Sequence, residues 1–101
     1  MDLGKARPAD FAGWLGTQFR LAGDARGEAD LELVEVEPLP PQRGAPRPEP
    51  FSLIFRGTPE LPLDQRIHTL EHDQLGRLGL FLVPIGPGSD GRGPYYQAIF
   101  N

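Results

Sequence analysis

The hydrophobic and polar positions of this chain fall into short alternating runs broken by glycine and proline. Residues 17–21, Thr-Gln-Phe-Arg-Leu, alternate and stop at Gly23-Asp24-Ala25-Arg26-Gly27, the pattern of a strand and a turn. Residues 29–37 alternate too, but the apolar phase slips by one between Leu33 and Val34, the sequence form of a β-bulge. Residues 51–55 set Phe51, Leu53 and Phe55 on one face and Ile54 on the other, a clear strand. Residues 66–85 read as strand, turn, strand. A helix aligning Leu63, Ile67 and Leu70 is the alternative for residues 65–72, and the β-branched Ile67 and Thr69 favour the strand. The run Leu80-Phe81-Leu82-Val83-Pro84-Ile85 is apolar throughout, which predicts a strand buried on both faces with Pro84 at a bulge or strand end. After a glycine-rich loop at 86–94, residues 95–100 form the last strand. Before the first strand, Phe11, Trp14 and Leu15 stand at i, i+3 and i+4, a helix of at most two turns that lays Trp14 over one end of the fold.

These elements predict an all-β, mainly antiparallel domain, a small six-stranded barrel or sandwich with a short N-terminal helix. At 101 residues the chain supports one core, so residues 1–101 are expected to form a single domain. Residues 1–7 read as a loose tail. Residues 38–50 hold six prolines and read as a Pro-rich internal loop, unusually long for so small a domain.

Composition narrows the function classes. With no cysteine, thiolate chemistry, disulfides and zinc–thiolate sites are all excluded, which suits a reducing compartment. Fourteen acidic against ten basic residues give a net charge of −4, the wrong sign for a phosphate-binding surface, so no nucleic-acid partner is expected. No apolar run is long enough to span a bilayer, so no membrane association and a cytoplasmic location are expected. Glu28, Asp30, Glu32, Glu35 and Glu37 form an acidic row that reads as a solvated strand edge rather than a metal site, because hard cations need convergent oxygens.

Two motifs invite catalytic readings. His68-Thr69-Leu70-Glu71-His72 spells H-x-x-E-H, in which two histidines one helical turn apart hold zinc while the glutamate activates water. It requires a helix, and the surroundings favour a strand, where Glu71 serves as a polar residue paired with Arg56. Gly86-Pro87-Gly88-Ser89-Asp90-Gly91 spells G-x-G-x-x-G, but Arg92-Gly93-Pro94 and a strand follow in place of the phosphate-binding helix. Ser52 and Ser89 lie in a strand and a loop, outside any nucleophile-elbow pattern. No catalytic residue, metal ligand or cofactor site is therefore assigned.

From Phe51 onward, the string Phe-Ser-Leu-Ile-Phe-Arg-Gly, then Leu70-Glu71-His72, Leu75-Gly76, Leu80-Phe81-Leu82-Val83-Pro84-Ile85-Gly86 and Ala98-Ile99-Phe100-Asn101 resembles a family of small bacterial proteins of unknown function. The family's glycine turn and aromatic before Leu-Glu-His are replaced here by residues 64–68, so His68 carries no shared role. Members are often encoded near phage-tail-like proteins. The resemblance implies a structural or accessory part more than an enzyme.

The expected function is a non-enzymatic structural, assembly or adaptor module acting on a protein partner through a sheet edge or the Pro-rich loop. The alternatives are a small-ligand-binding β-barrel and, last, a metal hydrolase using H-x-x-E-H. Arg43, Arg47 and Arg92, basic residues on the two long loops of an acidic protein, are the candidate partner contacts.

Overall fold

The computed structural model describes residues 1–24, 26–41, 43, 44 and 46–101. Six strands, β1 (Gln18–Ala22), β2 (Asp30–Pro38), β3 (Phe51–Arg56), β4 (Arg66–His72), β5 (Gly76–Gly86) and β6 (Tyr95–Phe100), close into an antiparallel barrel in the order β1-β2-β3-β6-β5-β4. The barrel alternative is thus the one adopted. Residues 66–72 are extended and pair with both β1 and β5, so the strand reading holds there. The phase slip in β2 is a bulge. Leu33 pairs with Phe55 and Glu35 with Ile54, leaving Val34 as the extra residue.

The barrel interior is filled by side chains rather than left as a lumen. Phe19, Leu31, Leu33, Leu53, Phe55, Leu70, Leu78, Leu82 and Tyr96 are buried, each contributed by the inward half of a period-two pattern. Because neighbouring strands are antiparallel, each connection lies at one end or the other. The β2–β3 connection and the N-terminal segment share one end with the β4–β5 turn. The β1–β2 turn, residues 57–65 and the β5–β6 loop share the opposite end. There, the backbone N–H of buried Leu63 donates to the Tyr96 hydroxyl at 2.9 Å, so the 57–65 crossing is tied to the barrel interior.

At the first end, α1 (Ala9–Ala12) is a single turn, shorter than the two turns its spacing allows. It buries Phe11 against Phe51 and Phe100, whose rings stack 4.5 Å apart. Trp14 follows it and packs edge-on to His72, over the barrel end as expected, while Leu15 remains exposed.

Three expectations are corrected. Residues 1–7 are not a loose tail. Asp2 caps a 3₁₀ turn at Leu3–Lys5, and Ala6 is buried. The guanidinium of Arg47 donates to the carbonyls of Ala6 at 2.5 Å and Leu3 at 2.9 Å, tying this segment to the Pro-rich connection. The acidic strand β2 is not an edge, because β1 and β3 pair on either side of it. Nor is residues 80–85 a doubly buried run. Leu78, Leu80 and Leu82 point inward, whereas Phe81 and Ile85 are about half exposed on the outside.

Candidate functional site

The H-x-x-E-H residues lie on β4, and a strand sends alternate side chains to opposite faces. His68 and His72 are both buried inside, while Glu71 stands on the outer wall at the position paired with Arg77. The glutamate is therefore separated from the histidines by the sheet itself. Each imidazole is also committed locally. His68 Nε2 lies 2.7 Å from the Asp64 carbonyl. His72 Nδ1 accepts from the backbone N–H groups of Gln74 and Leu75 at 3.0 and 3.2 Å, and its Nε2–H donates to Thr17 Oγ1 at 3.0 Å. That hydroxyl donates onward to the Trp14 carbonyl at 2.6 Å. The ring thus staples the β4–β5 turn to the chain entering β1, and its centroid lies 4.5 Å from that of Phe19.

The predicted arginine contacts do not form one surface. Arg43 is exposed on the β2–β3 connection, Arg92 is exposed on the β5–β6 loop, and these connections lie at opposite ends of the barrel. Arg47 is half-buried, with its guanidinium over Phe51 and Phe100, 5.9 and 5.4 Å from the ring centroids. The expected Arg56–Glu71 pair is absent, since β3 neighbours β2 and β6 while β4 neighbours β1 and β5. Arg56 instead pairs with Glu32 directly across on β2, and Glu71 lies 3.7 Å from Arg77 across on β5.

The surface that the sequence reading missed is the outer wall of β4, β5, β6 and β3. Strand register assembles it. Ile67 pairs with Phe81 on β5, and Ile99 points outward on β6, the strand that β5 joins through the pair Val83 and Gln97. Ile99 faces Ser52, which is fully buried and interrupts the exposed row, and Ser52 faces Glu37. A second row runs Val83, Gln97, Ile54 and Glu35. Ile67, Phe81 and Ile99 are 64, 50 and 51% exposed, while the inward side chains of the same strands, among them Leu70, Leu80 and Tyr96, are buried. Gly79, outward on β5, leaves the Ile67 side chain lying flat over the strand; an added Cβ would stand 3.6 Å from Ile67 Cγ2. The signal was present in the sequence. Leucines at 78, 80 and 82 keep an inward period of two, which sends Phe81 and Val83 outward.

At the loop end of this wall lies an open depression of about 440 Å³, lined by Val34, Ile54 and Ile85 together with Glu35, Asp90 and Tyr95. The carboxylate of Asp90 accepts from the backbone N–H of Arg92 at 3.0 Å and from the Tyr95 hydroxyl at 2.8 Å. The first of these lowers the Asp90 pKa most, and the same carboxylate raises that of Tyr95. Asp90 is thus held ionised within a partly apolar lining. Among the described residues Glu35 belongs to no ion pair.

Residues 6–100 match the model of a family described as a domain of unknown function, DUF6916, and the chain belongs to that family. No curated protein and no solved structure matches it. Among the described residues no helix is long and apolar enough to cross a membrane.

Proposed function

We propose that the protein is a non-enzymatic assembly or adaptor module that works by protein–protein contact, and that its contact face is the outer wall of β3, β6, β5 and β4. The observation that carries this reading is the set Ile67, Phe81 and Ile99, three large apolar side chains outward on the successive strands β4, β5 and β6, each half or more exposed. Val83, Ile54 and Ile85 extend the patch along the same wall, and clustered exposed apolar surface is often functional. Barrel closure supports a side-chain contact over strand addition, because every strand already has two partners. The packed interior favours an external contact over a ligand in the lumen. The Pro-rich connection, where Arg43 is exposed, remains a second contact element of this proposal. For its setting we place the module in the cytoplasm, among the parts of a phage-tail-like bacterial apparatus, on the resemblance noted above and on the absence of cysteine.

The test is site-specific photocrosslinking in the native cell, with a benzophenone side chain at position 81 or 99 and a control at Glu28, outside this wall. An adduct of one defined mass at 81 and 99, absent at 28, supports the proposal if wild-type protein competes it away and the Phe81→Ser, Ile99→Ser variant does not. Equal labelling at all three positions, or competition by that variant, removes the wall from the proposal.

A further inference from the structure

The apolar wall ends on one side in carboxylates, and the register fixes where. Both outer rows begin with apolar side chains on β4 or β5 and finish with a glutamate on β2, Glu37 in one and Glu35 in the other. Neighbouring strands stand about 4.8 Å apart, so each glutamate lies roughly 5–10 Å beyond the last apolar residue of its row, Ile54 or Ile99. The depression reinforces the pattern. Its lining combines the apolar Val34, Ile54 and Ile85 with the carboxylates Glu35 and Asp90, in a volume of about 440 Å³ that accommodates an aliphatic stem. A lysine or arginine is the side chain with that anatomy, a methylene stem that prefers apolar surface and a cationic head that seeks carboxylate. Arg56, the cation on β3, is already neutralised by Glu32, and Arg92 lies beside Asp90, so the carboxylates of this border with no ion pair among the described residues are Glu35 and Glu37.

We infer that the partner segment bound by this wall is amphipathic and basic: apolar residues lie on Phe81 and Ile99, and a lysine or arginine two strands further on reaches Glu35, Glu37 and the Asp90 depression. The inference rests on the contact face proposed above and specifies the chemistry of its occupant. A second copy of this chain fits less well, since a chain of net charge −4 would have to supply its own basic segment to an acidic border. The rows from β4 to β2 cover four strand spacings, about 19 Å, which an extended segment of six or seven residues spans. In such a segment residues two apart share a face, so two apolar residues followed by two basic ones at alternate positions match the wall.

The experiment is an NMR titration of the full-length ¹⁵N-labelled protein with the capped peptide acetyl-Leu-Gly-Leu-Gly-Lys-Gly-Lys-amide and two counterparts, one with both lysines replaced by glutamine and one with both leucines replaced by serine. The lysine peptide is expected to shift the amides of residues 34–37, 54, 81, 85 and 88–90. Replacing lysine with glutamine, or introducing Glu35→Gln with Glu37→Gln, should weaken binding about three- to tenfold at low salt, the range for two exposed ion pairs, and 0.5 M salt should remove most of that difference. Equal binding by the lysine and glutamine peptides, with loss only in the serine peptide, overturns the basic partner while leaving the apolar contact face standing. Equal binding by all three peptides, or shifts lying elsewhere on the barrel, overturns both. Shifts at the same amides on raising protein concentration without peptide, accompanied by a faster-sedimenting species, assign the wall to a second copy and overturn the inference.

Discussion

Replacing Arg47 with methionine should cost the fold far more than a surface arginine normally does. The guanidinium donates to two backbone carbonyls, those of Ala6 and Leu3, and lies over the stacked pair Phe51 and Phe100. Hydrogen bonds to a charged donor contribute about 1.5–3 kcal/mol each, and a cation over an aromatic face about 0.5–1 kcal/mol where partly exposed. Against this, among the described residues Nε is buried without a partner, a penalty of about 1–3 kcal/mol that the substitution relieves. Methionine keeps the aliphatic stem over the rings, so the expected net loss is about 2–4 kcal/mol, or at least about 10 °C in Tm for a domain of this size. Arg47→Lys retains the charge without the two-pronged geometry and should lose about half as much. Urea unfolding followed by Trp14 fluorescence measures the loss, and hydrogen exchange locates it, since residues 3–6 should exchange faster. An Arg47→Met protein within about 0.5 kcal/mol of wild type, the range expected at the surface, would refute this account and return Arg47 to the candidate partner contacts.

Two further outcomes follow from other parts of the barrel. An added Cβ at Gly57 would stand 2.8 Å from Tyr96 Cε2, a buried ring whose hydroxyl is held by Leu63, so Gly57→Ala should destabilise by about 1–3 kcal/mol in thermal unfolding and an unchanged Tm would refute the packing. Hydrogen bonds from the Arg26 guanidinium and backbone N–H lower the pKa of Asp24 from 3.8 to about 2, so the stability it contributes is present above pH 3.8 and lost as pH falls through 2. Urea midpoints between pH 4 and 2 should therefore fall more steeply for wild type than for Asp24→Asn; parallel slopes would contradict the assignment.

The strands were legible because their causes are local. Alternation at 17–21 and 51–55, the phase slip at Leu33 and Val34, and the β-branched residues in 66–72 all act within a few residues, and each appears in the barrel where its pattern placed it. What sequence reading misplaced depends on closure. Whether Arg56 meets Glu32 or Glu71 is decided by strand order, which no segment encodes by itself. Arg47 holds carbonyls 41 and 44 residues away, a contact with no local signature. The 80–85 run was ambiguous for a different reason. An unbroken apolar strand is the common mark of double burial, and only the inward phase set by Leu78 shows that half of it faces out.

Closure also decides where a molecule of this kind makes contact. A barrel with all six strands paired has no edge to lend, and its two long connections emerge at opposite ends, so no compact partner site gathers Arg43 and Arg92 together. The wall between those ends is built from residues that antiparallel register places side by side, and its composition departs from what solubility favours. Ile67, Phe81 and Ile99 occupy outward positions where a charged side chain would leave the core untouched, because the inward side chains of the same strands, Leu70, Leu80, Leu82, Tyr96 and Ala98 among them, already supply the packing. An apolar row that the fold does not need, bordered by Glu35 and Glu37 that no described cation neutralises, is the arrangement a complementary surface would complete.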